Sequence, residues 1–154
     1  MYEVLIQTEA IDVAAALARA DDLCDNCGAV VSFVGKVRGR DHDQPLSHLW
    51  LTHLPGATEA EVGRIIQAAS QRWALAYSQV IHRVGHINVG EPIVLVLTTS
   101  AHRDDAYQAN RFIMDYLKTE APFWKKECFV DGRAHWVDMK TSDVAHTQKW
   151  QQHD

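Results

Sequence analysis

The chain has 154 residues, of which 47% are hydrophobic and 23% charged, and its formal net charge is −5. This length predicts one domain, residues 1–154, with its own core, and the composition excludes a disordered chain and a disulfide-rich scaffold. The acidic balance gives no footprint for nucleic acid, and no apolar run approaches the roughly 18 residues needed to cross a membrane.

Cysteine usage indicates a cytoplasmic protein. Three cysteines are an odd and low number, typical of a reducing compartment, and residues 1–10 lack the regions of a signal peptide. Cys24 and Cys27 have the spacing of a redox or zinc pair, but they close a predicted helix and have no second pair. We therefore interpret them, and Cys128, as semi-buried structural cysteines.

Hydrophobic periodicity predicts an α+β fold with three main helices. Strands are predicted at Val4–Gln7, Ala29–Arg38, Leu46–His53, Tyr77–Val84, Ile93–Thr99, Phe123–Val130 and Ala134–Met139. The helices run from an Asp12 cap to about Cys24, from a Thr58 cap with Glu61 completing a capping box, and from a Ser100 cap to about Thr119. The residues from about Thr141 form a polar tail with no predicted element.

Basic side chains stand at the ends of several predicted elements. They are Lys36, Arg38, His102, Arg103, Lys118 and Lys125. The first turn after Ser100 also offers free N–H groups to an anion. Taken singly, each could merely decorate a solvated surface, but together they favour a pocket for a small anionic ligand on an acidic protein.

Nine histidines raise the question of a metal site. His82 and His86 straddle a glycine in predicted strand and turn, whereas His48 and His53 fall on opposite faces of a strand. No H-E-x-x-H motif or carboxylate-rich loop accompanies them. The sequence therefore predicts no metal site.

Several sequence blocks resemble the large, catalytic subunit of molybdopterin synthase. They follow one another in unbroken order between about residues 28 and 138: FVGKVR at 33–38, HRVG at 82–85, TSAHR at 99–103, FIMDYLK at 112–118 and APFWKKE at 121–127. The resemblance implies an α/β hammerhead-type fold with a mixed or antiparallel sheet. It also implies a homodimer of this chain within a heterotetramer, whose other subunit is a small ubiquitin-like sulfur carrier.

The activity that the resemblance implies is that of a sulfurtransferase. Members of the family move sulfur from the thiocarboxylated C-terminus of the carrier to cyclic pyranopterin monophosphate, which forms the dithiolene of molybdopterin. Guanidinium and ammonium groups suit a phosphate ester. Because the sulfur arrives on the carrier, this chain needs no cofactor, metal or catalytic cysteine.

The family motifs also imply the site residues. Those matched to substrate binding are Lys36, Val37, Arg38, His102, Arg103, Lys118, Lys125, Lys126 and Glu127. Lys118 and Lys125 are the implied catalytic pair, with Lys118 acting as acid/base or as a transient acyl acceptor. Phe33 and Met114 are expected to form apolar walls for the pterin and the carrier tail.

The helix that begins after Ser100 carries implied site residues at both ends. Lys118 lies fifteen residues after Arg103, which corresponds to about 22 Å along a helix axis. One small substrate cannot easily touch both ends. We therefore expect a composite pocket, in which Lys118 comes from one subunit and His102 and Arg103 come from its two-fold mate.

Two other functions compete with this interpretation. A non-catalytic module for an anionic ligand could have kept the pocket, although binding alone does not require both Lys118 and Lys125. An unrelated phosphoester enzyme could use His102, although the sequence has neither a carboxylate-rich metal motif nor a nucleophile motif.

Overall fold

The computed structural model describes residues 1–41, 43–137 and 141–151, apart from the side chains of 141 and 142. Its strands are β1 (Tyr2–Gln7), β2 (Ala29–Lys36), β3 (Arg40–Asp41), β4 (Gln44–His53), β5 (Leu75–Arg83), β6 (Gly85–Asn88), β7 (Pro92–Ser100), β8 (Phe123–Phe129) and β9 (Ala134–Trp136). Its helices are α1 (Val13–Leu23), α2 (Ala57–Arg72), α3 (Arg103–Thr119) and α4 (Thr141–Gln151). This arrangement confirms the predicted α+β class. None of the described helices is long and apolar enough to cross a membrane.

The strands form two sheets. The first has the order β1-β5-β7-β2, in which β1 is parallel to β5 and the other pairs are antiparallel. The second has the order β3-β4-β8-β9, with β6 also paired to β4, and all of its pairs are antiparallel. The first sheet therefore carries the β2 end of the predicted site, and the second carries the β8 end.

Helices α2 and α3 cover the first sheet and build the main core with it. Val62 and Ile66 of α2 meet Ile113 of α3 and Val96 of β7, all fully buried. Each such side chain contributes roughly 1.5–3 kcal/mol relative to its exposed state. The predicted inward positions of α3 are confirmed as buried: Ala106, Ala109, Ile113 and Leu117.

The start of α2 differs from the prediction. Gly56, at φ +85°, is the N-cap, and the Glu59 carboxylate accepts a hydrogen bond from its N–H. Thr58 is instead buried, and its hydroxyl donates to the Pro122 carbonyl at 3.0 Å. The Thr58 cap was wrong because this hydroxyl makes a tertiary contact, which local sequence does not show.

The cap of α3 and the end of β2 also shift. The N-cap of α3 is His102, since the Ser100 hydroxyl donates to the Ala74 carbonyl at 2.7 Å from the end of β7. The register of β2 shifts between Gly35 and Lys36, so the strand ends there and not at Arg38. β9 ends at Trp136, so the predicted extension to Met139 is wrong at residue 137 and otherwise lies outside the described residues.

The segment predicted as a polar tail contains α4. Trp150, 7% exposed, packs edge-on against Phe112 and Trp73 with ring centroids 5.5 and 5.6 Å away. Its indole Nε1 donates to Asp115 Oδ2 at 2.7 Å. The helix escaped prediction because one large side chain anchors it, and a single anchor leaves no periodic pattern.

The two cysteines after α1 form a disulfide. The Cα atoms of Cys24 and Cys27 lie 5.9 Å apart, within the ordinary range for a bridged pair. The prediction that they are half-buried and close the helix is confirmed, whereas the interpretation of both as unbridged thiols was wrong. Cys128 is a free, half-buried thiol, as predicted.

Candidate active site

Helix α3 separates two groups of predicted site residues. Arg103 is its first residue and Lys118 lies in its last turn, with both side chains exposed. His102 is the N-cap residue and makes no side-chain capping bond. Because α3 is one uninterrupted helix, about 22 Å separates these ends within one chain. The structure therefore does not bring Arg103 and Lys118 of the same chain together.

Lys118 lies near a histidine that stays uncharged at neutral pH. His82 of β5 is buried and stacks on Phe123 with ring centroids 3.8 Å apart. Burial, chiefly, lowers the pKa of His82 to about 4, and the charges of Lys118 and His53 lower it further. Its Nδ1 lies 2.8 Å from the Arg83 carbonyl, and a carbonyl can only accept. The proton is therefore on Nδ1 and Nε2 carries none.

Strand β8 turns its two lysines to opposite faces of the second sheet. Lys125 is paired with Leu51 and shares a face with the buried Glu127. Lys126 points the other way, where its ammonium lies 5.6 Å from the centre of the Trp136 ring. This agrees with the alternation read from the sequence, and it places Lys126 away from the other basic site residues of β8.

Glu127 adjoins the site without reaching solvent. Burial and a hydrogen bond with Asp41 raise the pKa of this carboxyl group, and the charges of His135 and Lys125 act in the opposite direction. A ligand in solvent cannot contact Glu127 directly. Its influence on a ligand must pass through neighbouring side chains.

The segment after β2 presents two cations around one buried residue. Lys36 and Arg38 are exposed, and Arg38 Nη2 lies 3.6 Å from Asp41 Oδ1. Val37 is in the core of the second sheet, its N–H donating to the Glu91 carbonyl and its carbonyl accepting from Gly90. Val37 therefore anchors the backbone that carries Lys36 and Arg38.

A groove of about 560 Å³ brings the two predicted wall residues together. Phe33 of the edge strand β2 and Met114 of α3 both line it, and its remaining lining residues are Val31, Ser32, Tyr107, Gln108, Asn110, Arg111 and Asp115. Tyr107 is 62% exposed although it is large and aromatic. None of the predicted basic residues lines this groove.

Sequence reasoning missed two contributors to these surroundings. His82 stood in a recognised block, but its role depends on burial against Phe123, which follows it by about forty residues. Asp41 was placed in a polar loop, and its contact with Arg38 depends on the short β3–β4 pairing. An acid three residues after a basic residue was the only local signal for it.

Comparisons with known proteins agree with this layout. The profile of the family described as "MoaE protein" matches residues 6–120. A molybdopterin synthase catalytic subunit of Mesorhizobium japonicum is 49% identical over 148 residues, which cover 96% of this chain and 92% of that protein. The solved structure of a molybdopterin biosynthesis MoaE protein from Burkholderia ambifaria superposes with a TM-score of 0.84 at 39% identity, covering 98% of this chain and 99% of that one.

A more distant structure shares the fold alone. It is a protein–protein complex of subunits 1 and 2 of the molybdopterin-converting factor from Helicobacter pylori, at 20% identity and a TM-score of 0.74, covering 89% of this chain and 91% of that one. The nearer matches span most of both chains and include every basic block described above. The chain therefore belongs to the MoaE family, the family of molybdopterin synthase catalytic subunits.

Proposed function

We propose that this chain is the catalytic subunit of a cytoplasmic molybdopterin synthase. As a sulfurtransferase, it moves sulfur from the thiocarboxylated C-terminus of a small ubiquitin-like carrier subunit to cyclic pyranopterin monophosphate. The observation that carries the proposal is the retention of both Lys118 and Lys125, on an element end and on the strand that follows it. Neither the binding of an anion nor the fold requires this pair.

Lys118 is the central group of the proposed reaction. Its ammonium lies at the open end of α3, near an imidazole that carries no charge at neutral pH. A neutral His82 does not repel an anionic ligand and does not neutralise Lys118. The amine can then serve as acid/base, or accept the carrier's acyl group when the carbon–sulfur bond breaks. A mass increase on Lys118 equal to the acylating carrier distinguishes the second role.

The carrier tail is proposed to lie extended along the groove beside Phe33 and Met114. Met114 lies one helical turn before Lys118, so a tail over Met114 delivers its end to the lysine. The apolar walls suit a chain ending in small residues. The cations around the groove's end attract its negatively charged terminus.

The second copy of the chain is proposed to complete each site. Arg103, Tyr107, Arg111, Met114 and Lys118 fall within about 80° of the α3 circumference, so they form one stripe. If two α3 helices meet antiparallel across a two-fold axis near residues 110 and 111, Arg103 of the second copy faces Lys118. The same operation seats Tyr107 of one copy over Met114 of the other, which covers the exposed ring.

The function is tested by reconstitution. The chain, the thiocarboxylated carrier and cyclic pyranopterin monophosphate are combined, and dithiolene formation is measured. Lys118→Ala is expected to lower the rate by about 10²-fold or more, as loss of a proton-transfer or nucleophilic group does. Arg64→Ala, at an exposed arginine of α2, is the charge control. Wild-type turnover by folded Lys118→Ala would remove Lys118 from the mechanism.

A further inference from the structure

The second sheet encloses a carboxyl group that lacks hydrogen-bond donors. Glu127 is 1% exposed, and its side chain shares a face with Leu49 and Leu51 of the apolar cluster on β4. Neither oxygen accepts a hydrogen bond from any donor in the described part of the chain. His135 Nε2 lies 3.9 Å from Oε1, beyond hydrogen-bond distance. An ionised carboxylate in such a place is costly.

The neighbour that resolves this cost is a second carboxyl group. Asp41 of β3 is hydrogen-bonded to Glu127, and this contact together with burial raises the pKa of Glu127. Two carboxyl groups can share a hydrogen bond only when one of them holds a proton. Glu127 is the more deeply buried of the two, so it holds the proton and donates to the Asp41 carboxylate.

The Asp41 carboxylate also faces a predicted substrate ligand. Arg38 Nη2 lies 3.6 Å from Asp41 Oδ1, while Lys125 shares the face of Glu127 on β8. The charged and titratable described groups around the pair are therefore Arg38, Lys125 and His135. One shared proton leaves a single negative charge among them. A second charge would neutralise cations that the phosphate ester needs.

We propose that Asp41 is a positioning residue of the pterin site: its carboxylate accepts a hydrogen bond from protonated Glu127 and holds the Arg38 guanidinium toward the substrate. This inference rests on the proposed function, which makes Arg38 a ligand of the pterin phosphate. Asp41 does not touch the substrate. It connects the buried interior of the second sheet to an exposed arginine.

Two isosteric amide variants test the proposal because it predicts unequal effects. Glu127→Gln keeps a donor to Asp41 and is expected to leave kcat and the KM for the pterin within about twofold of wild type. Asp41→Asn places an amide beside Arg38 and is expected to raise the KM for the pterin about tenfold, with kcat within about twofold. Asp131→Asn, in an exposed Asp–Arg pair with Arg133, is the control. Equal effects of Glu127→Gln and Asp41→Asn overturn the proposal.

Infrared difference spectroscopy gives a readout that does not depend on turnover. At neutral pH the wild-type protein is expected to show the C=O stretch of a protonated carboxylic acid, lost in Glu127→Gln and kept in Asp131→Asn. If the band is present while wild-type protein forms no dithiolene, the proposed function fails and the carboxyl pair stands. If the wild type has no such band, the pair is wrong whatever the activity.

Discussion

Lys118 acts at a position where the neighbouring charge has been removed by burial. His82 stacks on Phe123 and keeps its proton on Nδ1, so the site gains an imidazole without a cation. On β8, the alternation of a strand places Lys125 on the side of Glu127 and turns Lys126 to the Trp136 ring. Individual side chains at this site are thus defined by which face of a strand carries them.

Lys125 and Lys126 form a matched pair of adjacent lysines. Lys125→Ala is expected to lower the rate of dithiolene formation by about tenfold or more, because a charge-assisted contact to the substrate is lost. Lys126→Ala removes an ammonium from the opposite face and is expected to have a much smaller effect. Initial rates with saturating carrier give the comparison. Equal losses would mean that both lysines reach the substrate.

His82 makes stability dependent on pH. Its pKa is about 4 in the folded chain against an ordinary value of 6.5, so between these values the unfolded chain binds the extra proton. The free energy of unfolding therefore falls as the pH drops through this window, by at most about 3 kcal/mol from this group.

Urea unfolding of wild type and His82→Gln at pH 7 and pH 4 measures this contribution. The loss of stability on acidification is expected to be smaller in His82→Gln than in wild type. His146→Gln, at an exposed histidine of α4, serves as control. An identical loss in wild type and His82→Gln would show that His82 is protonated in the folded protein.

At the scale of elements, α3 connects the core to both proposed half-sites. Its inner face packs on α2 and the first sheet, and Asn110 ties it to β2 and β7 through the Val31 and Val96 carbonyls. Its outer stripe ends in Arg103 and Lys118 and lines the groove with Tyr107 and Met114 between them. A rigid helix of this length sets the spacing of any pair of sites built on it.

The antiparallel arrangement of two α3 helices predicts a specific cross-link. Arg111 of one copy lies opposite residue 110 of the other, so two cysteines at 111 are offset by only about 1.5 Å along the axis. In a Cys128→Ser background, Arg111→Cys is expected to form a covalent dimer on mild oxidation. Arg64→Cys on α2 is expected not to. A monomeric Arg111→Cys chain in a protein that is dimeric by light scattering would contradict this seam.

The whole fold was largely predictable because its strands and helices follow regular apolar patterns. The buried stripe of α3 and the faces of β8 follow from periodicity alone. The differences arise where a polar or single apolar residue makes a tertiary contact, as with Thr58 on Pro122 and Trp150 on Phe112. Local sequence carries no signal for such contacts.

The site was predictable in its residues but not in their roles. The family blocks identify the cations, whereas burial decides that Glu127 and Val37 lie behind the surface. The proton on Glu127 and the Arg38–Asp41 contact depend on β3, a strand of two residues. A strand so short has no periodicity to detect.

The claim that each site needs two copies of the chain is tested most directly by mixed dimers. A Lys118→Ala subunit is combined with an Arg103→Ala subunit, each inactive alone, and dithiolene formation is measured after subunit exchange. If Arg103 acts across the two-fold axis, one of the two sites in each mixed dimer has both residues intact, and about half of the wild-type activity per mixed dimer returns. If both residues act within one chain, every site carries a lesion, and the mixed dimers stay inactive.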